Sequence, residues 1–81
     1  LAWDIIDNIG GKENVRSVTY CITRVRFYLK DSNKAKTDII TNLNGVRDVV
    51  QASGQYQVVV GPEAEEVYNA VMSQLGEVSS S

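Results

Sequence analysis

The spacing of hydrophobic positions in the first part of the chain predicts a helix followed by two strands. Residues 1–9 place hydrophobic side chains on one side of a helix, and the glycines at positions 10 and 11 end it. Residues 15–20 contain three β-branched side chains, and residues 24–30 alternate hydrophobic and polar positions with a period of two. The short connection between these strands predicts a hairpin with Cys21 at its turn.

The rest of the chain repeats this order of elements. A turn and cap at residues 31–33 precede a predicted helix over residues 34–42. Strands over residues 46–52 and 55–60 form a second predicted hairpin through Ser53 and Gly54. Gly61 and Pro62 end the last strand, and proline suits the first turn of the following helix. That helix carries hydrophobic side chains at helical spacing: Ala64, Val67, Tyr68, Val71 and Leu75.

The element order is therefore helix, strand, strand, helix, strand, strand, helix. Two hairpins indicate a four-stranded antiparallel sheet, and three one-sided helices indicate that they cover a single face of it. We expect an α+β fold whose second sheet face carries no helix, and we call that second face the open face. Side-chain alternation assigns to the open face Arg24, Arg26, Gln55 and Gln57.

Length and composition indicate one small domain, which we expect to be part of a longer protein. The 81 residues are 43% hydrophobic, which is enough for a single core. We expect the domain to occupy residues 1–76, with a linker or disordered tail starting over residues 77–81. The net charge of −2 argues against a nucleic-acid partner, because nucleic-acid-binding domains are usually basic. One cysteine forms no intrachain disulfide, and no hydrophobic run is as long as a membrane span, so we expect a soluble domain in a reducing compartment.

The candidate chemistry is concentrated at Cys21. Arg24 and Arg26 follow it on one face of the strand, and a guanidinium binds phosphate oxygens through a planar fork of donors. Nearby cations also lower the pKa of a thiol, and the thiolate is its nucleophilic form. A lone cysteine is nevertheless often a small buried hydrophobic residue, and two arginines on a strand are often a solvated surface. These residues by themselves leave both interpretations open.

The absence of histidine excludes several catalytic sites within this chain. No Cys–His pair, Ser–His–Asp triad or histidine-containing zinc site can form from its residues, so any histidine that reacts with Cys21 belongs to a partner. Position 27 is Phe, whereas the phosphatase loop has an arginine six residues after its cysteine. Neither a Walker loop nor a dinucleotide-binding glycine motif is present, so the sequence predicts no nucleotide cofactor.

Three segments carry recognisable motifs. Residues 10–14 read G-G-K-E-N, residues 21–26 read C-I-T-R-V-R, and residues 54–61 read G-Q-Y-Q-V-V-V-G. In this order they resemble the segments G-G-x-E-N, C-x-T-R-[LV]-R and G-x-x-Q-x-x-x-G of the B domain (EIIB) of bacterial phosphotransferase-system sugar permeases, in the glucose and β-glucoside superfamily. That family folds as a four-stranded antiparallel sheet with helices on one face, which agrees with the fold predicted from the hydrophobic pattern.

The resemblance implies an enzyme of sugar uptake, a protein-phosphocysteine–sugar phosphotransferase. Its cysteine, here Cys21, takes a phosphoryl group from a phosphohistidine of the A domain and transfers it to a sugar bound by the membrane C domain. The family uses no metal or other cofactor. The domain would lie at the cytoplasmic face of the bacterial inner membrane and be monomeric when isolated. The implied phosphoryl-binding residues are Ile22, at the variable position of the motif, Thr23, Arg24, Arg26 and Gln57.

Two other functions remain alternatives on the sequence alone. One is a non-catalytic regulatory or binding module that keeps the fold, and the other is a redox-sensing thiol that reacts with another molecule. Residues 55–61 resemble the β-glucoside, sucrose and trehalose members more than the glucose members, whereas Tyr20 replaces a histidine often found before the cysteine in those relatives. The membrane domain selects the sugar, so these residues do not name it.

Overall fold

The computed structural model describes the backbone of residues 1–79 and the side chains of residues 1–76. Short 3₁₀ turns at Lys12–Asn14, Ser32–Lys34 and Gly61–Glu63 connect the longer elements. None of the helices in this described part is long and apolar enough to cross a membrane. The helices and strands follow the predicted order: α1 (Ala2–Asn8), β1 (Val15–Tyr20), β2 (Arg24–Leu29), α2 (Thr37–Thr41), β3 (Asp48–Ala52), β4 (Gln55–Val59) and α3 (Ala64–Ser79).

The four strands form one antiparallel sheet in the order β1-β2-β4-β3, so β2 and β4 lie side by side at its centre. In the β2–β4 register, Arg26 lies opposite Gln57 and Arg24 lies opposite Val59. Residues opposite each other share a face of the sheet, so the open face collects side chains from both hairpins. The predicted α+β fold is confirmed, and so is the assignment of the two arginines and Gln57 to one face.

The other face of the sheet meets the three helices in a hydrophobic core. Phe27 and Val58 come from the central strands and are fully buried. Ile5 on α1, Ile40 on α2 and Val71 on α3 are fully buried against the same cluster. Burying one side chain of this size stabilises a fold by about 1.5–3 kcal/mol. The helices therefore hold the sheet from one side, and the open face remains available for polar side chains.

The helix predicted over residues 34–42 is shorter in the structure, and α2 begins at Thr37. Asp31 is a cap, but its side chain accepts a hydrogen bond from a backbone N–H of the 3₁₀ turn and not from α2. The chain is then extended, and the N–H of Lys36 donates to the carbonyl of Asn8 at the end of α1 (2.6 Å). This contact between distant segments precedes the helix and has no signal in the local sequence.

Asn14 is a buried polar residue that connects the end of α1 to the end of β2. Its Nδ2 donates to the carbonyls of Ile9 (2.6 Å) and Asp31 (2.9 Å), and its Oδ1 accepts from the N–H of Asp31 (2.9 Å). Gly10 leaves room for this side chain, because a Cβ there would lie 2.7 Å from Asn14 Nδ2. The φ of Gly10 is 108°, which side chains disfavour. The G-G-K-E-N segment thus has a structural role that its pattern did not reveal.

The boundary predicted at residue 76 falls inside α3, whose backbone runs to Ser79. Residues 80–81, the end of the predicted linker or tail, lie outside the described residues. The linker therefore stays a prediction.

Candidate functional site

Cys21 lies at the turn of the first hairpin, as predicted. Its backbone N–H donates to the carbonyl of Arg24 (2.9 Å), which closes the turn, and its side chain is half-buried. Ile22 projects from the tip of this turn and is 86% exposed. The turn therefore presents a thiol to solvent beside a large apolar side chain.

The end of β4 holds this turn in place. The carbonyl of Thr23 accepts hydrogen bonds from the N–H groups of Val60 (3.0 Å) and Gly61 (2.9 Å). Gly61 has a φ of 78°, which favours glycine, and a Cβ there would lie 2.8 Å from Nε of Arg47, whose exposed side chain would have to move. The last glycine of the G-x-x-Q-x-x-x-G segment therefore helps to attach the turn of one hairpin to the strand of the other.

The two arginines have different partners on the open face. Nη2 of Arg26 donates to Sγ of Cys21 (3.4 Å), and Nη1 of Arg24 donates to Oε1 of Gln57 (2.7 Å). Both arginine side chains are half-buried, and the buried Nε of Arg26 has no hydrogen-bond partner among the described residues. A guanidinium carries five N–H donors, so both arginines keep donors for a bound anion.

The surroundings of Cys21 lower the pKa of its thiol. Partial desolvation raises that pKa, but the backbone N–H groups of Thr23 and Ile22 and two positive charges outweigh it. Arg26 is the nearer source of charge and Arg24 the weaker one. A lower pKa increases the fraction of nucleophilic thiolate near neutral pH. The same N–H groups and guanidiniums form a surface that favours a bound anion.

The predicted site residues separate into two groups by how they reach this surface. Thr23 and Ile22 contribute their backbone N–H groups, whereas their side chains are exposed at the tip of the turn. The remaining four meet through their side chains: Cys21, Arg24, Arg26 and Gln57. Within the described residues, no group of three or more Cys, Asp or Glu side chains could hold a metal ion.

The open face contains two further polar residues, Gln55 and Tyr28, to which the motifs gave no role. Gln57 is only 8% exposed, and its Nε2 donates to Oε1 of Gln55 (2.7 Å). Nε2 of Gln55 in turn donates to the hydroxyl of Tyr28 (2.5 Å). Side-chain alternation places both residues on the open face, but their contact requires β2 to lie beside β4. The hydrophobic pattern does not contain that pairing.

An open groove of about 620 Å³ lies beside the thiol, on the side of α3. Its wall includes Tyr20, whose ring packs against that of Tyr68 on α3 with ring centroids 4.5 Å apart. Tyr20 stands where the resembling family often has histidine, and here it is a packing residue between the hairpin and α3. The groove is lined by Tyr20, Cys21, Ile22, Pro62 and Glu65.

The fold and the site define a small α+β domain that presents a cysteine thiol of lowered pKa at a hairpin turn, beside the guanidinium of Arg26. Residues 4–35, which include Cys21 and both arginines of the site, match the family described as phosphotransferase system, EIIB. A solved structure of one domain of the PTS system, IIabc component, from Clostridium difficile superposes with a TM-score of 0.76. It is 30% identical to this chain, and the match covers 94% of this chain and 76% of that one.

Curated relatives carry corresponding names. The PTS system beta-glucoside-specific EIIBCA component of Halalkalibacterium halodurans is 54% identical over 72 residues, which are 89% of this chain and 11% of the relative. The PTS system trehalose-specific EIIBC component of Bacillus subtilis is 33% identical over 76 residues, which are 93% of this chain and 16% of the relative. The chain thus spans less than a fifth of the length of these relatives. It belongs to the EIIB family of the phosphotransferase system, and the resemblance inferred from its motifs is confirmed.

Proposed function

We propose that this domain carries a phosphoryl group on Cys21 during sugar uptake. It accepts the group from a phosphohistidine of the A domain and transfers it to a sugar bound by the membrane C domain. The observation that carries this proposal is the thiol itself, which lies 3.4 Å from Nη2 of Arg26 in a turn whose N–H groups favour the thiolate. The names of the two relatives described above support the choice of partners, because both join EIIB to a C component and the first also joins it to an A component.

The first step is an in-line displacement at phosphorus. The thiolate of Cys21 attacks the phosphorus, the S–P bond forms as the P–N bond breaks, and the electron pair of the broken bond returns to the histidine nitrogen. Phosphoryl transfer passes through a loose transition state whose charge spreads over three equatorial oxygens. Arg24 and Arg26 bind those oxygens, together with the backbone N–H groups of Ile22 and Thr23.

The second step reverses these roles. A sugar hydroxyl attacks the phosphorus, the O–P bond forms, and the S–P bond breaks to regenerate the thiolate of Cys21. The proton of the hydroxyl passes to a base on the C domain. A lowered thiol pKa favours this step as well, because a more stable thiolate is a better leaving group. A half-buried thiol at an exposed turn is accessible to two partners in succession.

The predicted phosphoryl-binding residues keep these roles in the proposal. Arg24, Arg26 and Gln57 act through side chains, whereas Ile22 and Thr23 act through their N–H groups. The domain works without a metal or nucleic acid, is monomeric when isolated, and lies at the cytoplasmic face of the inner membrane of its cell.

Intact-protein mass spectrometry tests the proposal directly. The chain is incubated with phosphoenolpyruvate, the general phosphotransferase proteins and an A domain, in parallel with Cys21→Ser. We expect the native chain to gain the mass of one phosphoryl group and the variant to gain none. If the native chain gains none with A domains from several relatives, the phosphoryl-carrier function is wrong and a non-catalytic binding module takes its place. A gain by Cys21→Ser would show that another residue accepts the group.

A further inference from the structure

We propose that Gln55 and Tyr28 are positioning residues that hold Arg24 in the orientation needed for phosphoryl transfer. The proposal rests on the proposed function of Cys21 and extends the site to two residues that do not touch the reacting atoms. Its basis is a row of three consecutive hydrogen bonds on the open face, which we call the amide row. Arg24 Nη1 donates to Gln57 Oε1 (2.7 Å), Gln57 Nε2 to Gln55 Oε1 (2.7 Å), and Gln55 Nε2 to Tyr28 Oη (2.5 Å).

The guanidinium of Arg24 fixes the direction of the amide row. A guanidinium has donors and no acceptor, so the carboxamide of Gln57 must turn its oxygen towards Arg24. Its nitrogen then faces Gln55, whose oxygen accepts. The nitrogen of Gln55 is left to face Tyr28, whose hydroxyl oxygen accepts in turn. Reversing either carboxamide would place a donor against a donor, so the row has one arrangement.

Burial makes the orientation of Gln57 depend on Gln55. Gln57 is 8% exposed, so water has little access to replace a lost partner of its amide. Gln57 also lies opposite Arg26 in the β2–β4 register while its oxygen accepts from Arg24. A single carboxamide therefore lies next to both cationic side chains of the site. Its orientation determines whether an oxygen or a nitrogen faces Arg24.

The amide row restricts a side chain that would otherwise be flexible. Arginine has many rotamers, and a hydrogen bond at one nitrogen of its planar group fixes the direction of the remaining donors. Transfer rates depend on such orientation, because the donors must already face the charge that develops on phosphorus. Gln55 and Tyr28 lie along the strands away from the turn, so their contribution affects the transfer step and leaves the contact with the A domain unchanged.

Steady-state transfer from a phosphorylated A domain measures this contribution. Gln55→Met keeps the length of the side chain and removes the acceptor for Gln57, and we expect kcat to fall about three- to tenfold with an unchanged KM for the donor. Tyr28→Phe, which removes only the last acceptor of the row, should lower kcat less. Ser17→Ala is the control, since Ser17 lies opposite Tyr28 on the same face and outside the amide row. It should leave both constants unchanged.

A spectroscopic measurement tests the row independently of transfer. The side-chain amide of Gln57 gives nuclear magnetic resonance signals whose positions report its hydrogen bond to Gln55. Gln55→Met should shift those signals, and Gln55→Glu, which keeps an acceptor oxygen, should restore them. Tyr28→Phe should produce a smaller shift in the same direction.

The two measurements separate this proposal from the proposed function. If the native chain accepts no phosphoryl group, the proposed function fails, and the Gln57 signals still decide whether Gln55 orients the amide. A native kcat in Gln55→Met would overturn the positioning role. So would an equal fall in Gln55→Met and Ser17→Ala, or Gln57 signals that do not change in Gln55→Met.

Discussion

Nη2 of Arg26 lies 3.4 Å from Sγ of Cys21, a residue five positions earlier in the chain. Cys21 is the first residue of the hairpin turn and Arg26 lies within β2, so the contact depends on the reversal of the chain between them. A fixed charge and a nucleophile are thereby joined within one hairpin. The ionisation of the thiol is the property that this contact most directly controls.

Replacing Arg26 should raise the pKa of Cys21. In Arg26→Gln the nearer positive charge is lost, so the thiolate is less stabilised and forms at higher pH. The rate of alkylation by iodoacetamide as a function of pH measures this pKa. Arg16→Gln, which removes the same charge from an exposed position on β1, is the control and should leave the profile unchanged. Equal shifts in both variants would assign the effect to net charge.

The lowered pKa of Cys21 should make stability depend on pH. The folded thiol ionises at lower pH than the unfolded one, so the stabilisation is complete above the unfolded pKa and is lost as pH falls through the folded pKa. Between those two values, the unfolding free energy of the native chain should rise with pH relative to that of Cys21→Ser. Urea unfolding of both proteins over a series of pH values measures this difference in unfolding free energy. A difference that falls with rising pH would contradict the lowered pKa of Cys21.

Loss of the Asn14 side chain should destabilise the fold without altering the thiol. Asn14→Ala removes three hydrogen bonds and leaves the carbonyl of Ile9 and the N–H of Asp31 unpaired, so we expect a loss of about 2–4 kcal/mol. Urea unfolding measures it, with the exposed Asn44→Ala as control. The pH profile of Cys21 alkylation should stay native, because Asn14 lies at the end of the hairpin away from the turn. Equal losses of unfolding free energy in Asn14→Ala and Asn44→Ala would rule out the structural role of Asn14.

Alanine substitutions at two glycines with nearly equal φ angles should affect the rate of phosphoryl transfer differently. Gly61 and Gly54 have φ of 78° and 77°, so alanine at either position should cost about 1–2 kcal/mol through backbone strain. A Cβ at Gly54 meets no atom within 4 Å. A Cβ at Gly61 displaces the Arg47 side chain next to the N–H of Gly61, which donates to the carbonyl of Thr23. Only Gly61→Ala should therefore slow phosphoryl transfer, measured by the time course of mass gain. Equal slowing would show that the attachment of the turn is unimportant.

The exposed side chain of Ile22 should contribute to partner binding, whereas the backbone N–H of this residue keeps its proposed role in the transfer step. Ile22 is 86% exposed, so Ile22→Ser should leave the fold and the thiol pKa unchanged. We expect it to raise the KM for the phosphorylated A domain several-fold, because an apolar contact in the complex is lost, while kcat stays native. Ile39→Ser is the control, since Ile39 is 47% exposed on α2. A lower kcat with a native KM would place the Ile22 side chain in the transfer step instead.

The elements that local periodicity controls could be predicted from the sequence. Alternation along β2 and β4 placed the arginines and glutamines on the open face, and the short connection placed Cys21 at a turn. These predictions succeed because a strand has a fixed period of two and its faces differ in polarity. The motifs then identified the four side chains that meet there.

Contacts between distant segments could not be predicted in this way. The adjacency of β2 and β4 brings Gln55 to Tyr28, and neither hairpin specifies it on its own. The start of α2 depends on a hydrogen bond from Lys36 to Asn8, and the role of Asn14 depends on Asp31. In each case the deciding partner lies far away in sequence, where a local pattern contains no information about it.

The attachment of Thr23 to Val60 and Gly61 makes the order of the turn depend on the C-terminal half of the domain. A hairpin that formed alone during synthesis would have its cysteine and arginines but not the strand that fixes its turn. The groups that lower the pKa of Cys21 all belong to this hairpin, so the C-terminal half contributes order to the site and not charge. The turn is therefore held in one geometry only when β4 has been made and has paired with β2.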